Sequence, residues 1–209
     1  MPGSQATIGP AVHVPGRCYR DGQMAGFDGA AALTAARRSD QRAWDAIVAR
    51  YSNLVWSVAR SFRFNSSDAA DVYQATWLRL VEHIGEIRDG ERLGSWLATT
   101  ARREALALLR RGRVERPADD VELLPGVAAD ATVPVEGRLL EQEEQAHLWH
   151  AFSHLPDNCQ RTLRVLFADP PPSYAEISAA LDMPMGTIGP TRTRCLAHLR
   201  SLLSRREPS

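Results

Sequence analysis

The stretch Ser173 to Arg200, SYAEISAALDMPMGTIGPTRTRCLAHLR, constrains the fold more than any other part of the chain. Pro170, Pro171 and Pro172 precede it and force an extended break, so any helix beyond them must start afresh. Ser173 with Glu176 three residues on reads as a capping box opening that helix. Asp182 to Gly186 supplies a turn, Thr187 is expected to cap the last helix, and Pro190 is expected in its first turn, where a missing N–H costs little. The last helix carries Arg192, Arg194 and Arg200 and no acid. Two short helices across a tight turn, the second cationic, outline a helix-turn-helix, which lays one helix in the DNA major groove.

The remainder also reads as helix. Trp44, Ile47, Val48, Tyr51, Val55, Val58, Ala59 and Phe62 recur at spacings of three and four behind a candidate cap at Ser39. Ser66 and Ser67 read as the next cap, followed by the apolar stripe Val72, Ala75, Thr76, Leu80 and Ile84 and a helix to about His83. Gly85 to Gly94 reads as a loop. Leu93, Trp96, Leu97, Ala101, Leu108 and Leu109 mark a third long helix ending near Gly112, and a short helix over Ala30 to Arg38 precedes them all. Two further helices are predicted over Arg138 to His154 and Asp157 to Phe167, and no segment alternates as a strand would. The expected fold is all-α, with two small helical domains at 29–116 and 138–204. They are joined by an acidic linker over 117–137, preceded by a disordered extension over 1–28 and followed by a tail over 205–209.

Charge is balanced in sum and segregated in place. The 25 basic residues equal the 25 acidic ones, and every basic residue is arginine. Arg102, Arg103, Arg110, Arg111, Arg113 and Arg116 form one cluster and Arg192, Arg194, Arg200, Arg205 and Arg206 another, with the acidic linker between. Such segregation concerns partners rather than fold, and it favours a polyanion at two places. No apolar run reaches the roughly 20 residues of a membrane span, and the N-terminus lacks the pattern of a secretory signal, so a cytoplasmic location without membrane contact is expected. Three widely spaced cysteines, Cys18, Cys159 and Cys195, argue against a disulfide framework, and Cys159 and Cys195 are expected as small apolar residues within helices. His150 and His154 have a helical i, i+4 spacing, yet no second ligand pair accompanies them, so no metal site and no cofactor are expected. The chain carries no Gly-rich phosphate loop, nucleophile elbow or HExxH, which argues against an enzyme.

Three motifs in order resemble those of bacterial RNA polymerase sigma factors of the extracytoplasmic-function type, over about residues 29 to 204. DAADVYQATWLRL, Asp68 to Leu80, is similar to the region 2 helix that grips the polymerase clamp. RLGSWLATTARREALALLRR, Arg92 to Arg111, is similar to the helix that engages the −10 promoter element. Leu155 to Arg200 is similar to region 4, which engages the −35 element. The resemblance implies a promoter-specificity subunit without an active site. Its partners would be promoter DNA and core RNA polymerase, through the clamp of the largest subunit and the flap of the second-largest. An anti-sigma factor is a further partner usual in the family.

The resemblance also assigns residues. Asp68, Asp71, Gln74, Trp77 and Leu78 would face the polymerase; of these Asp71, Gln74 and Leu78 share one helical face by spacing alone. Arg88, Asp89, Glu91, Arg92 and Trp96 would line the pocket for a base flipped from the −10 element, where stacking and hydrogen bonds offset the cost of unstacking. Arg103, also expected at the −10 element, stands where asparagine is usual in the family, while the density of Arg102, Arg110, Arg111 and Arg113 with little acid favours phosphate contact over a plain solvated face. Thr187, Thr191, Arg192 and Arg194 would read the −35 element from the start of the recognition helix. The competing reading is a stand-alone helix-turn-helix regulator, which explains Ser173 to Arg200 and leaves the first two motifs without a role.

Overall fold

The computed structural model describes residues 27–112 and 135–205, with the side chains of the fifth helix described from Glu144 onward. Nearly all of the expected extension, and the expected linker up to residue 134, lie outside the described residues. Eight α-helices and one 3-10 turn, and no strand, make up the regular structure of the described residues. They are α1 (Gly29–Ala36), α2 (Gln41–Arg60), α3 (Ser66–His83), the 3-10 turn (Gly90–Arg92), α4 (Leu93–Arg110), α5 (Val135–Ser153), α6 (Asp157–Leu166), α7 (Tyr174–Leu181) and α8 (Met185–Ser204).

The helix starts follow local chemistry, with corrections to the expected caps. Asp40, not Ser39, opens α2: its Oδ1 accepts from the amides of Arg42 at 2.8 Å and Ala43 at 3.3 Å. Ser39 has φ 63°, the left-handed conformation that closes α1, so it cannot take the extended geometry of an N-cap. Asn65, not Ser66 or Ser67, caps α3, its Oδ1 accepting from the Asp68 amide at 2.7 Å. The Ser173 capping box is present in both directions: the Ser173 amide donates to Glu176 Oε2 at 2.6 Å and the Glu176 amide donates to Ser173 Oγ at 3.3 Å. Asp182 ends α7 at φ 56°, ψ 47°, and the Ser178 hydroxyl closes the turn by donating to the Met183 carbonyl at 2.7 Å. Thr187 is not a cap: α8 already begins at Met185, and the Thr187 hydroxyl donates to the Pro184 carbonyl at 2.7 Å. Pro190 accordingly lies in the second turn of α8 rather than the first.

α1 to α4 enclose a core of Leu33, Ile47, Leu54, Val55, Val58, Leu80, Leu93 and Leu97, all essentially inaccessible. α5 to α8 bury Phe152, Leu155, Leu163, Ile177 and Ile188. The two groups of helices lie against one another, α4 on α7 and α2 on α6, so that their apolar side chains form one continuous cluster. Polar bonds tie the same seam: Arg63 to Asp157 at 2.7 Å, Arg102 to Asp182 at 2.8 Å, and the Asn53 amide to the Asp169 carbonyl. The Arg161 guanidinium lies 4.7 Å over the Phe62 ring.

In the seam, Gly94 leaves the space that Glu176 fills. A Cβ at Gly94 would collide with the Glu176 carboxylate and stand 2.7 Å from Tyr51 Cε1. Glu176 is 6% exposed and lies 3.9 Å from the Arg50 guanidinium. Its charge, together with burial as the larger cause, pushes the Tyr51 phenol up to about 12.

Two outcomes follow from this packing. Gly94→Ala should separate α4 from α7 and cost about 1–3 kcal/mol through overpacking, read as a lower thermal midpoint and, by small-angle scattering, a larger radius. For Tyr51 the folded state holds its proton to higher pH than the unfolded chain, which ionises near pH 10. The stability from Tyr51 is therefore complete below that pH and is lost as pH rises towards 12. Tyr51→Phe should flatten this part of the alkaline unfolding profile, measured by circular dichroism against pH.

Candidate functional site

Three surfaces gather the residues singled out from sequence. The first is the outer face of α3. Asp71, Gln74 and Leu78 are all exposed there, as the three–four spacing requires, and Leu78 is 60% exposed. Val81, one further step along the face, is 57% exposed and was not foreseen, although it continues the same spacing. Beside it, Trp44, Asp45 and Val48 of α2 and Ile84 border a hollow of about 540 Å³ that Val81 also lines. Large apolar side chains left in water at adjoining positions are the mark of a surface built for a partner. The other two expected residues behave differently. Trp77 turns inward, packing on the core with its ring edge-on to Tyr73 at 5.9 Å, and Asp68 is half-buried in the first turn of α3. Trp77 therefore supports this face from within instead of presenting it.

The second surface is a cleft of about 420 Å³ between α3, α4 and the segment joining them. Trp96, Thr100, Arg103 and Glu104 of α4 line one side, at positions one and two turns apart, and Arg79, His83, Glu86 and Ile87 line the other. Trp96 and Arg103 are thus brought together as the motif suggested. Arg88, Asp89, Glu91 and Arg92 are not among the lining residues. They are exposed on the 3-10 turn and just before it, where Asp89 caps the Glu91 amide at 3.0 Å and pairs with Arg92 at 3.1 Å. The cleft's polar lining is internally paired. Arg79 bonds Glu104 at 3.1 Å and Glu82 at 2.9 Å, and both acids hold its guanidinium cationic more firmly. The His83 ring lies 3.1 Å from Glu86. The α4 side was readable from helical spacing to Trp96, whereas the α3 side depends on how the two helices cross.

Arg110 and Arg111 are exposed at the end of α4. Arg102 is mostly covered, with its side chain 20% exposed and its Nη1 on Asp182 of the helix-turn-helix turn. Nearby, Arg161 and Arg164 are half-buried cations. Burial, then neighbouring arginines, push both down, Arg164 to about 10.

The third surface is the start of α8. Thr187 and Arg194 are exposed and Arg192 is half-buried, so these three can meet a groove. Thr191 cannot: it is 8% exposed and faces the core with Ile188 and Cys195, and its hydroxyl accepts from Arg194 Nη2 at 3.3 Å. The i, i+3, i+7 spacing of Ile188, Thr191 and Cys195 carries this inward face. Thr191 serves as a brace for Arg194. Met185, 56% exposed, adds an apolar group at the same end.

The cysteines also correct the sequence reading. Cys159 and Cys195 are joined as a disulfide linking α6 to α8, with Cα atoms 5.2 Å apart. A separation of 36 positions along the chain hid a proximity that the helix-turn-helix fold creates. The histidines hold each other: His150 and His154 rings are 4.4 Å apart, and His154 Nδ1 lies 2.8 Å from the His150 carbonyl. Among the described residues no three His, Cys, Asp or Glu side chains are grouped to hold a metal ion, and no helix is long and apolar enough to cross a membrane.

Comparison with known proteins agrees with this geometry. Residues 47–114, which span most of α2 and all of α3 and α4, match the family model Sigma-70 region 2. The RNA polymerase sigma-H factor of Pseudomonas aeruginosa is 29% identical over 161 residues, covering 73% of this chain and 81% of the relative. The ECF RNA polymerase sigma-E factor of Escherichia coli K12 is 26% identical over 160 residues, covering 73% of this chain and 82% of its own length. In fold, the chain is similar to CnrH in complex with the cytosolic domain of CnrY, with a TM-score of 0.55 and 23% identity over 85% of this chain and 98% of that one. It is also similar to the sigma factor RpoE of Bartonella quintana in complex with the anti-sigma factor NepR, with a TM-score of 0.51 and 20% identity over 73% and 91%. With the family-model match falling on the α3 face and the α4 cleft, the chain carries a sigma-70 region 2 segment, and over most of their length it is similar to extracytoplasmic-function sigma factors of bacterial RNA polymerase.

Proposed function

We propose that this chain binds core RNA polymerase through the outer face of α3, holds a flipped −10 base in the α3–α4 cleft and reads the −35 element with α8. The observation that carries the proposal is that the exposed face Asp71–Gln74–Leu78–Val81 and the Trp96–Arg103 cleft lie side by side in the segment matched by the region 2 model. The polymerase clamp would bury Leu78 and Val81, and the flap of the second-largest subunit would take the α5–α8 group. Trp96 gives the cleft an aromatic wall on which a base can stack, and Arg103 adds charge for the adjoining phosphate. Arg110 and Arg111 continue the phosphate track. At the other end Thr187 and Arg194 reach base edges, with Thr191 holding the Arg194 side chain in place. The protein works in the cytoplasm, where its polymerase and DNA are, and catalyses no reaction itself.

The seam bears on regulation. Arg102 cannot serve a DNA phosphate while Asp182 occupies it, so promoter binding requires the α5–α8 group to leave α4. Two relatives in fold were solved with CnrY and NepR bound, and an anti-sigma partner of this chain would cover the α3 face.

The direct test is transcription in vitro on fragmented genomic DNA with core polymerase, with and without this protein, sequencing transcript starts. Discrete new starts that share two upstream elements are expected; specific binding to duplex DNA without polymerase, and no new starts, would favour a stand-alone helix-turn-helix regulator. Leu78→Ala with Val81→Ala should weaken core binding about tenfold or more by removing exposed apolar anchors, with the fold unchanged by circular dichroism. Arg194→Ala should cost roughly 1–3 kcal/mol of −35 discrimination, measured as promoter competition between matched and mutated −35 elements.

A further inference from the structure

We propose that Cys159 and Cys195 form a reversible dithiol–disulfide couple whose oxidised state fixes the recognition helix; its effect on DNA rests on the promoter-binding role given above. The pair lies in the core of the helix-turn-helix. Cys195 is 1% exposed at the middle of α8, and Cys159 is 8% exposed in the first turn of α6. Phe152, Leu155, Leu163 and Ile188 belong to the same buried cluster. Opening the bond adds two hydrogens and leaves two non-bonded thiols that need more room than a bonded pair. A close-packed interior yields that room only by moving an element. The element placed to move is α8, since α6 also packs against α2 and its Arg161 lies over Phe62 just beyond the end of α2, whereas α8 packs on helices of its own group.

The cystine thus connects the seam, through α6, to the helix that carries Thr187 and Arg194. Arg194 is the neighbour of Cys195 in sequence and Thr187 lies about two turns before it, so a shift of α8 at this point displaces both. Loss of preorganisation in a binding element lowers affinity even where each contact can still form. A disulfide in a protein that works among thiol reductants is characteristically a redox-responsive one.

The chemistry is thiol–disulfide exchange with a low-molecular-weight disulfide. Cys159 is the more accessible of the two residues, 8% exposed against 1%. Its thiolate attacks the small disulfide, forming a mixed disulfide at Cys159 and releasing one small thiolate. Cys195 then loses its proton and attacks Cys159 Sγ, closing the protein disulfide and releasing the second small thiolate. The two protons from the cysteines end on the two released thiols. The small disulfide is reduced by two electrons and the protein pair oxidised by two. Reduction is the reverse, beginning with a small thiolate on Cys159 Sγ.

The test uses the full chain with Cys18→Ala, so that only this pair is read. The protein is equilibrated in glutathione buffers from fully reduced to fully oxidised, trapped by alkylation and weighed. Promoter occupancy of its holoenzyme is measured in the same buffers on a promoter found by the transcription experiment. Two alkylated cysteines at the reduced end, none at the oxidised end, return on cycling, and occupancy falling about threefold or more on reduction are expected. A further Cys159→Val, Cys195→Val variant, which keeps two non-bonded side chains in that space, should show the reduced occupancy in every buffer. A bond that survives excess reduced glutathione would make the pair a permanent staple and overturn the proposal, as would two thiols that stay alkylatable in oxidised glutathione. Interconversion with unchanged occupancy would overturn the coupling to α8. If no transcript starts appear in either state, the promoter-binding role fails, while the alkylation masses still decide the couple.

Discussion

The carboxylate of Glu176 is the interaction on which the arrangement of this molecule depends. It accepts the Ser173 amide to start α7, lies against Arg50 of α2, and occupies the space that a side chain at position 94 would need. A buried carboxylate is costly unless its oxygens are satisfied, and here the satisfaction comes from both groups of helices. One side chain therefore couples the opening of the helix-turn-helix to the packing of α7 on α4. Tyr51 registers the same charge through its raised phenol.

Around this point the polar contacts of the seam, beside its continuous apolar cluster, are ones that water or DNA can replace. Arg63 and Asp157 form a largely exposed pair, of the kind that contributes little to stability. Arg102 is more covered, yet its partner Asp182 is exposed and can release it. Arg161 and Arg164 are the opposite case: cations whose pKa is lowered by burial and by neighbouring arginines, placed over Phe62 and Phe152. Such groups lose solvation by staying in the seam and regain it by leaving. A contact of this composition is suited to a protein that must exchange an internal partner for a nucleic acid.

Helix existence was legible because each helix carries its own apolar period, and the capping box at Ser173 was legible because both halves lie within four residues. Cap identity was less so. Ser39 and Asp40 are both competent caps in isolation, and the left-handed turn that closes α1 is what passes the role to Asp40. Likewise Pro184 and the Asp182 turn start α8 two residues before Thr187. The polar half of the α3 face was legible as a spacing, and Val81 extends it. For Trp77 the sequence left a core position and a contact position both open, because an aromatic on a polar helix looks the same whether it points in or out.

The sequence by itself determined the all-α character, the helix-turn-helix and the family motifs, since these reside in local periodicity and in short ordered strings. Tertiary structure alone decided the inward turn of Thr191 and Trp77, the α3 wall of the cleft, the pairing of Arg102 with Asp182 and the bond between Cys159 and Cys195. Each of those depends on which helices cross and at what point. That is set by the fit of buried side chains such as Glu176 against Gly94, and no local pattern encodes it.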